Sequence, residues 1–257
     1  MDLQTARADY KPLSGHGAFV LEGLAEDFTV FQPIRDSHVW EPHVIAVLER
    51  FVKPDFVCLD VGANIGAITL PLASLASEGH VHAFEASPTA WELLKRNVTS
   101  NGLENVTTVN AAITDHTGDT VEMFSTGAEL GCAHMTSSSL GRTGNREEVK
   151  TLALDDYGFF GKCDFIKMDV EGSEVRALKG AMRVIGQYRP ILVIEYNPTP
   201  GGWFQGTAPS ALYDLLAGLY PRISIIGPDG ELQRVINWDH LDGELTVHTW
   251  RDLLCTV

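Results

Sequence analysis

Residues 57–66 read Val-Cys-Leu-Asp-Val-Gly-Ala-Asn-Ile-Gly, and this stretch decides the fold. Its apolar start predicts a buried strand that ends at Asp60, and Gly62 and Gly66 predict a tight turn after it. A second apolar run, residues 81–84, ends in Glu85. A strand, a glycine turn, a helix and a strand that ends in an acid form a site for an adenosine-containing cofactor, because the acid accepts hydrogen bonds from the ribose hydroxyls.

The same alternation of elements continues along the chain. Further strands are predicted at residues 106–110, 163–169, 190–195, 222–226 and 244–248, with helical spacing of apolar residues before or between most of them. This order predicts an α/β fold with a mostly parallel sheet and helices on both faces. We expect an N-terminal extension on the substrate side over residues 1–50 and one main domain over residues 51–257. Residues 113–150 are rich in Gly, Ser and Thr and are predicted to form an excursion from the sheet.

Composition limits the class of protein. The 257 residues carry a formal net charge of −15, which argues against a nucleic-acid partner because phosphate binding needs clustered Lys and Arg. The four cysteines are scattered without a CxxC pair, as expected in a reducing compartment. No signal-peptide pattern and no stretch suited to a membrane span are evident. We therefore expect a cytoplasmic protein with no membrane association.

The glycine turn distinguishes between two kinds of adenosine cofactor. Asn64 and Ala67 stand where a nicotinamide site has its second and third glycines, and none of the six tyrosines has a lysine four residues on. Asp60 just before the turn also disfavours a pyrophosphate at the following helix. An acid there suits a ligand with a cationic end, such as S-adenosylmethionine, and this spacing is typical of class I methyltransferases.

A second motif narrows the class of methyltransferase. Residues 164–180 read Asp-Phe-Ile-Lys-Met-Asp-Val-Glu-Gly-Ser-Glu-Val-Arg-Ala-Leu-Lys-Gly, which resembles the signature of the FkbM family of S-adenosylmethionine-dependent methyltransferases. Residues 60–66, 84–88, 110–112 and 154–157 also match family-like motifs, and the resemblance covers roughly residues 36 to 198. It implies a Rossmann-like sheet of seven strands with an antiparallel last strand. It also implies methyl transfer to an oxygen, usually of a sugar or a polyketide-type natural product.

The resemblance also assigns cofactor contacts. Asp60, Gly62 and Asn64 would line the methionine end, and Glu85 would hold the ribose with Ala86 beside it. The segment Asn110–Ala112 would face the adenine. The predicted cofactor site is therefore made of Asp60, Gly62, Asn64, Gly66, Glu85, Ala86, Asn110, Ala111, Ala112 and Asp169.

The chemistry is predicted at the carboxyl ends of the fourth and fifth core strands, where two hypotheses compete. In one, Asp169 or Glu171 is a general base, and Lys167 is the third candidate catalytic residue. In the other, Asp169, Glu195 and Asn197 hold a divalent cation, with Mg²⁺ as the candidate. Two structural roles compete with these: Glu171 could shape the turn, and Lys167 could form an internal salt bridge, either with Asp169 on the same strand face or with Glu195.

We expect a small-molecule acceptor with a hydroxyl group, and a homodimer as a candidate assembly. Acceptor contacts are expected from residues 1–50, 124–150 and 198–210, with Trp40 and Trp203 as candidate pocket walls. Two alternatives stay open. One is N-methylation of an amine or guanidine, which the acidic cluster would suit. The other is a non-catalytic module that binds an adenosine ligand.

Overall fold

The computed structural model describes residues 4–15, 17–125, 134–135, 145–158, 161–197, 210–245 and 250–257. Its N-terminal part consists of an antiparallel strand pair and two helices: β1 (Thr5–Tyr10), β2 (Phe19–Leu24), α1 (Phe31–Ser37) and α2 (Pro42–Phe51). Pro42 occupies the first turn of α2, where a missing backbone N–H costs nothing. No helix in this described part of the chain is long and apolar enough to cross a membrane.

The remaining elements alternate between strands and helices. In chain order they are β3 (Val57–Val61), α3 (Thr69–Leu75), β4 (His80–Glu85), α4 (Pro88–Ser100), β5 (Val106–Asn110), β6 (Ala112–Ile113), β7 (Thr120–Ser125), β8 (His134–Met135), β9 (Asn145–Leu152), β10 (Phe165–Met168), α5 (Glu174–Lys179), α6 (Met182–Tyr188), β11 (Ile191–Tyr196), α7 (Ala211–Leu219), β12 (Arg222–Ile226), β13 (Leu232–Arg234), α8 (Trp238–Leu245) and β14 (Arg251–Thr256). Ser87 shows how the sequence sets one boundary, since its hydroxyl accepts a hydrogen bond from the Ala90 N–H and caps α4.

Eight of the described strands form the central sheet, in the order β13-β12-β14-β11-β10-β3-β4-β5. β5, β4, β3, β10 and β11 are parallel, and β14 runs antiparallel between β11 and β12. The predicted α/β class, the mostly parallel Rossmann-like sheet and the antiparallel last strand are confirmed. The short antiparallel strand β13 adds an eighth member to the seven that the resemblance implies.

Helices cover both faces of this sheet, and the strand side chains alternate between two cores. Phe165 of β10 packs in the core that holds α2, α3 and α4. Its neighbour Ile166 packs in the opposite core with α5, α6, α7 and α8. Because side chains alternate along a strand, Lys167 lies on the same face as Phe165, towards α2. This orientation decides which residues can meet Lys167.

The predicted excursion folds as a separate small sheet of four described strands, in the order β6-β9-β7-β8. Met123 and Val149 from this sheet bury a small core of their own with Ala112. Ala112 directly follows the Asn110–Ala111 corner, so this sheet begins beside the predicted adenine segment. The strands after residue 50 are therefore divided between the main sheet and this smaller one.

The strand predicted at residues 244–248 is wrong at Glu244 and Leu245, and residues 246–248 lie outside the described residues. Glu244 and Leu245 end helix α8, and the last strand is β14, Arg251–Thr256. The helix has apolar residues at positions 238, 241 and 245, a helical spacing, whereas Leu253, Leu254 and Cys255 are a buried run typical of a central strand.

The N-terminal elements are fastened to the main sheet by buried side chains. The Tyr10 hydroxyl donates to the Ala67 carbonyl oxygen at 2.7 Å. The Asn97 side-chain amide accepts from the Glu22 N–H at 2.7 Å and donates to the Ile65 carbonyl oxygen at 2.8 Å. The first residues thus share a core with α3 and α4, and the division at residue 50 stays a prediction.

Candidate active site

A cavity opens at the carboxyl ends of β3, β4 and β10, where parallel sheets of this kind bind their ligands. Its lining combines acids, one lysine, backbone of the glycine turn and apolar side chains. The lining residues are Val30, Trp40, Glu41, Asp60, Gly62, Ala63, Asn64, Ala67, Ile68, Phe84, Glu85, Ala86, Ala111, Ala112, Ile113, Met123, Lys167, Asp169, Val170, Glu171 and Ser173. Most of the predicted site residues therefore meet in one cavity.

The glycine turn brings backbone close to this cavity. Gly62 has a φ of 86° and Asn64 a φ of 48°, both in the left-handed region. The Gly62 N–H donates to the Phe84 carbonyl oxygen at 2.9 Å, which ties the turn to β4. A Cβ atom at Gly62 would overlap the carbonyl oxygen of Asp169, so only glycine fits here.

Gly66 has a different role from Gly62. Its φ is 97°, and a Cβ atom there would lie 2.9 Å from the Leu94 Cδ1 atom of α4. It permits close packing behind the turn and is absent from the residues that line the cavity. Its predicted contact with a cofactor stays a prediction.

Glu85 ends β4 with both carboxylate oxygens fixed. Oε2 accepts from the Asn64 N–H at 2.8 Å, and Oε1 accepts from the Ser87 N–H at 2.7 Å. Burial raises the pKa of the Glu85 carboxyl to about 7, although these backbone hydrogen bonds oppose the rise. Each oxygen keeps a further lone pair, so the side chain is oriented to accept hydrogen bonds from a diol in the cavity.

Asp60 lies next to the last residue of β3, the strand beside β4, and is 1% exposed. Its Oδ2 accepts from the Thr69 hydroxyl at 2.5 Å. Burial raises the pKa of Asp60 to about 6, with the Thr69 hydrogen bond opposing it. A cation that entered the cavity would stabilise the ionised form of this carboxyl.

An apolar wall faces these acids. Ala86, Ala111, Ala112, Ile113 and Met123 line the cavity and could cover a flat aromatic ring. The Asn110 side chain donates instead to the backbone carbonyl oxygens of Glu85 and Ala86, both at 2.9 Å. Asn110 therefore holds the corner that presents the wall, and a direct contact with an adenine stays a prediction.

Lys167 is the cation at the centre of the acids and is 3% exposed. Its Nζ donates to Asp169 Oδ2 at 3.1 Å and lies 3.8 Å from Glu41 Oε2. Burial opposes the charge on Lys167, but Asp169 and Glu41 outweigh it and raise its pKa well above the usual value. The salt bridge between Lys167 and Asp169 that we considered from the sequence is present.

Glu41 is a site residue that the sequence did not identify. It precedes α2 with a left-handed φ of 43°, and its carboxylate reaches the cavity beside Trp40. Its pKa is raised by burial, against the effect of Lys167. No local pattern marks Glu41, because its placement depends on the packing of α2 against the sheet.

Glu171 also lines the cavity, in the turn after β10. Its φ is 49°, which is unusual for a residue with a Cβ atom and often marks a functional turn. Burial raises the pKa of the Glu171 carboxyl, and the charges of Asp169 and Glu174 add to the rise. The proposed base and the proposed turn-shaping role are both compatible with this position.

The predicted metal ligands are placed as follows. Asp169 and Glu195 lie side by side, but the third acid that meets them is Glu174, which the sequence did not single out. Asn197 directly follows β11, and its role as a ligand stays a prediction. The sequence did carry a signal for Glu174, because an acid in the first turn of a helix is common, but that signal indicates capping rather than a ligand.

Trp203, the second candidate pocket wall, lies outside the described residues.

The raised carboxyl pKa values predict how stability depends on pH. The folded-state pKa values of Asp60 and Glu85 lie above the ordinary values of 3.8 and 4.5, at about 6 and about 7. Their contribution is therefore complete below pH about 4 and is lost as pH rises through about 6 to 7, on the order of 3 kcal/mol for Glu85. We expect the free energy of unfolding from urea titrations to fall over this range.

The matched variant for this experiment is Glu85→Gln, which keeps an oxygen to accept a backbone hydrogen bond but does not titrate. Its unfolding free energy should depend less steeply on pH between about 5 and 8 than that of the wild-type protein. Equal slopes in the two proteins would show that Glu85 does not carry a raised pKa.

Comparison with known proteins places this geometry in context. A family model described as the methyltransferase FkbM domain matches residues 60–222, more than half of the chain. A 16S rRNA methyltransferase of T. thermophilus, solved in complex with AdoMet and guanosine, has a TM-score of 0.52 at 13% identity, over 98% of this chain and 50% of that chain. This similarity shows a shared fold.

Two further solved structures are similar at lower TM-scores. An FkbM methyltransferase of Methylobacillus flagellatus is 19% identical with a TM-score of 0.49, over 79% of this chain and 44% of that chain. The chain thus spans less than half the length of that protein. An O-methyltransferase of Bacillus cereus in complex with SAH is 16% identical with a TM-score of 0.45, over 90% of this chain and 84% of that chain.

Proposed function

Because this chain belongs to the FkbM methyltransferase family, we propose that it transfers a methyl group from S-adenosylmethionine to a hydroxyl group of a small molecule. The observation that supports S-adenosylmethionine as the cofactor is the cavity that Asp60, the Gly62 turn and Glu85 line together. The formal net charge of −15 supports a small-molecule acceptor over a nucleic acid. A sugar or a polyketide-type compound is the class of acceptor that we propose.

The residues of the cavity suit the parts of this cofactor. Glu85 would accept hydrogen bonds from the ribose hydroxyls, and the wall from Ala111 to Ile113 would cover the adenine. Asp60 would bind near the cationic methionine end. S-adenosylmethionine supplies an electrophilic methyl group on a sulfonium, so the protein needs to orient the acceptor and remove its proton.

Asp169 and Glu171 are the candidates for moving that proton. Both line the cavity at the end of β10, and Lys167 contacts only one oxygen of Asp169. A carboxyl with a raised pKa, as in Glu171, is a better base towards an alcohol than an ordinary one. Lys167 would hold the Asp169 carboxylate in position.

N-methylation of an amine or guanidine is the second candidate function. Five acids line the cavity against one lysine: Glu41, Asp60, Glu85, Asp169 and Glu171. Such a lining favours a cationic acceptor. Incubation with labelled S-adenosylmethionine and matched alcohol and amine acceptors separates the two functions, since mass spectrometry of the product locates the methyl group on oxygen or on nitrogen.

Removal of the Glu85 carboxylate should weaken cofactor binding. We expect Glu85→Ala to raise the Kd for S-adenosylhomocysteine by about tenfold or more, because charge-assisted hydrogen bonds to the ribose are lost. Isothermal titration calorimetry at pH 8, where Glu85 is ionised, is the measurement.

The control is Glu92→Ala, which removes a carboxylate from the exposed face of α4. Its Kd should equal that of the wild-type protein. If the folded wild-type protein does not bind S-adenosylhomocysteine, the proposed cofactor is wrong. If Glu85→Ala binds as tightly as Glu92→Ala, the ribose contact is assigned to the wrong residue.

A further inference from the structure

Three carboxylates converge behind the cavity from three different elements. Asp169 follows β10, Glu174 begins α5, and Glu195 lies near the end of β11. One carboxylate oxygen from each residue lies within 4.8 Å of the others. The adjacent parallel strands β10 and β11 bring their ends together, and the turn between β10 and α5 adds the third group.

These carboxylates carry buried oxygens that have no hydrogen-bond partner among the described residues. They are Asp169 Oδ1, Glu174 Oε2 and Glu195 Oε2. Glu174 is 0% exposed, so water does not reach its side chain from the surface. A buried ionised carboxylate without a partner costs several kcal/mol, roughly as for a broken buried ion pair, so it binds either a proton or a cation.

Two backbone N–H groups fix the orientation of the Glu174 side chain. Its Oε1 accepts from the N–H groups of Val170 at 3.1 Å and Gly172 at 3.2 Å. The other oxygen, Oε2, has no hydrogen-bond partner among the described residues, and one oxygen of this carboxylate lies within 4.8 Å of one oxygen each of Asp169 and Glu195. Lys167 donates to Asp169 Oδ2, which leaves Asp169 Oδ1 buried and free to bind a cation.

We propose that Asp169, Glu174 and Glu195 bind a divalent cation such as Mg²⁺ or Mn²⁺. Carboxylate oxygens are the ligands that such hard cations prefer, and an ion about 2.1 to 2.6 Å from each oxygen spans oxygens up to about 5 Å apart. A dication neutralises two of the three carboxylates, and Lys167 balances the third. A single ammonium group would leave one carboxylate uncompensated.

Asp169 connects this cation site to the cavity, since it also lines the cavity wall. A cation beside the wall could bind the acceptor oxygen and lower the pKa of its hydroxyl group. This chemical role rests on the proposed function, whereas the binding of the ion does not. In this proposal the third ligand is Glu174, whereas the sequence suggested Asn197.

Manganese binding to the full chain tests the site directly. Free Mn²⁺ gives an electron paramagnetic resonance signal that decreases when the ion binds to protein. We expect binding without any cofactor present. Glu174→Gln and Glu195→Gln should each raise the Kd for Mn²⁺ at least about tenfold, because the number of charged ligands sets the affinity of such sites.

The glutamine variants are chosen so that folding is kept. Glu174→Gln retains an oxygen for the Val170 and Gly172 N–H groups, and Glu195→Gln serves if that variant does not fold. Glu92→Gln on α4 is the control and should bind Mn²⁺ as the wild-type protein does. The proposal is overturned if the wild-type protein leaves the free Mn²⁺ signal unchanged at millimolar concentrations, or if the folded glutamine variants bind as tightly as the control.

The outcome for the ion is separate from the outcome for the cofactor. Calorimetry with S-adenosylhomocysteine in the presence of a chelator reports on the cofactor alone. Cofactor binding without Mn²⁺ binding would remove the cation site and leave the proposed function standing. Mn²⁺ binding without cofactor binding would overturn the proposed function and leave the cation site standing.

Discussion

Gly62→Ala should abolish detectable binding of S-adenosylhomocysteine while leaving much of the protein folded. The added methyl group would overlap the carbonyl oxygen of Asp169, and alanine is strained at a φ of 86°. The left-handed backbone alone costs about 1 to 2 kcal/mol, and the overlap forces the turn or the end of β10 to move. The strain lowers the stability of the fold, and the displaced turn no longer fits its ligand, so we expect binding to weaken by more than about hundredfold, or about 3 kcal/mol.

The matched control for this substitution is Gly186→Ala in α6. A Cβ atom there meets no atom within 4 Å, and alanine favours a helix over glycine. Gly186→Ala should bind the ligand as the wild-type protein does and unfold at the same or a higher temperature. Binding by Gly62→Ala within about threefold of the wild-type protein would contradict the assigned close approach of the turn to its ligand.

Lys167→Met should lower the free energy of unfolding by about 3 to 5 kcal/mol, as is typical when one partner of a buried ion pair is removed. The substitution leaves Asp169 and Glu41 without the buried cation that they share. Domains of ordinary stability have about 5 to 15 kcal/mol in total, so this loss would be a large fraction. Urea titration at neutral pH measures it.

Lys162→Met is the control for charge alone. Lys162 also pairs with two acids, Asp55 at 2.9 Å and Asp164 at 3.3 Å, but its side chain is 40% exposed. Water and salt screen such pairs, so we expect a much smaller loss of stability than for Lys167→Met. Similar losses in the two variants would show that burial does not govern the Lys167 interactions. Combining Lys167→Met with Asp169→Asn should recover part of the stability, because the buried charge is then removed as well.

The parts of the site that the sequence predicted are those that local patterns encode. The turn between Asp60 and Gly66 lies within seven residues, and the strand that leads to Glu85 is a short apolar run. The parallel arrangement of neighbouring strands then places Asp60, Glu85 and Asp169 at one edge. The family motif at residues 164–180 added Lys167 and Glu171 to the same region.

The parts that the sequence did not predict depend on tertiary packing. Glu41 reaches Lys167 only because α2 crosses the sheet at that point, with a left-handed residue before its first turn. Glu174 lies in a position where an acid is ordinary for a helix start. Residues 244–248 alternate in polarity as a strand does, but the helical spacing of Trp238, Leu241 and Leu245 prevails up to Leu245, and the last strand begins at Arg251.

The position of β14 has a consequence for how the protein is made. This strand is inserted between β11 and β12, which both precede it in the chain, and it pairs with each of them. While the chain emerges from the ribosome, β11 and β12 therefore have a gap between them that only residues 251–256 fill. Strand edges exposed during synthesis are liable to pair with other chains, so this half of the sheet would be the part most in need of a chaperone until translation has passed residue 256.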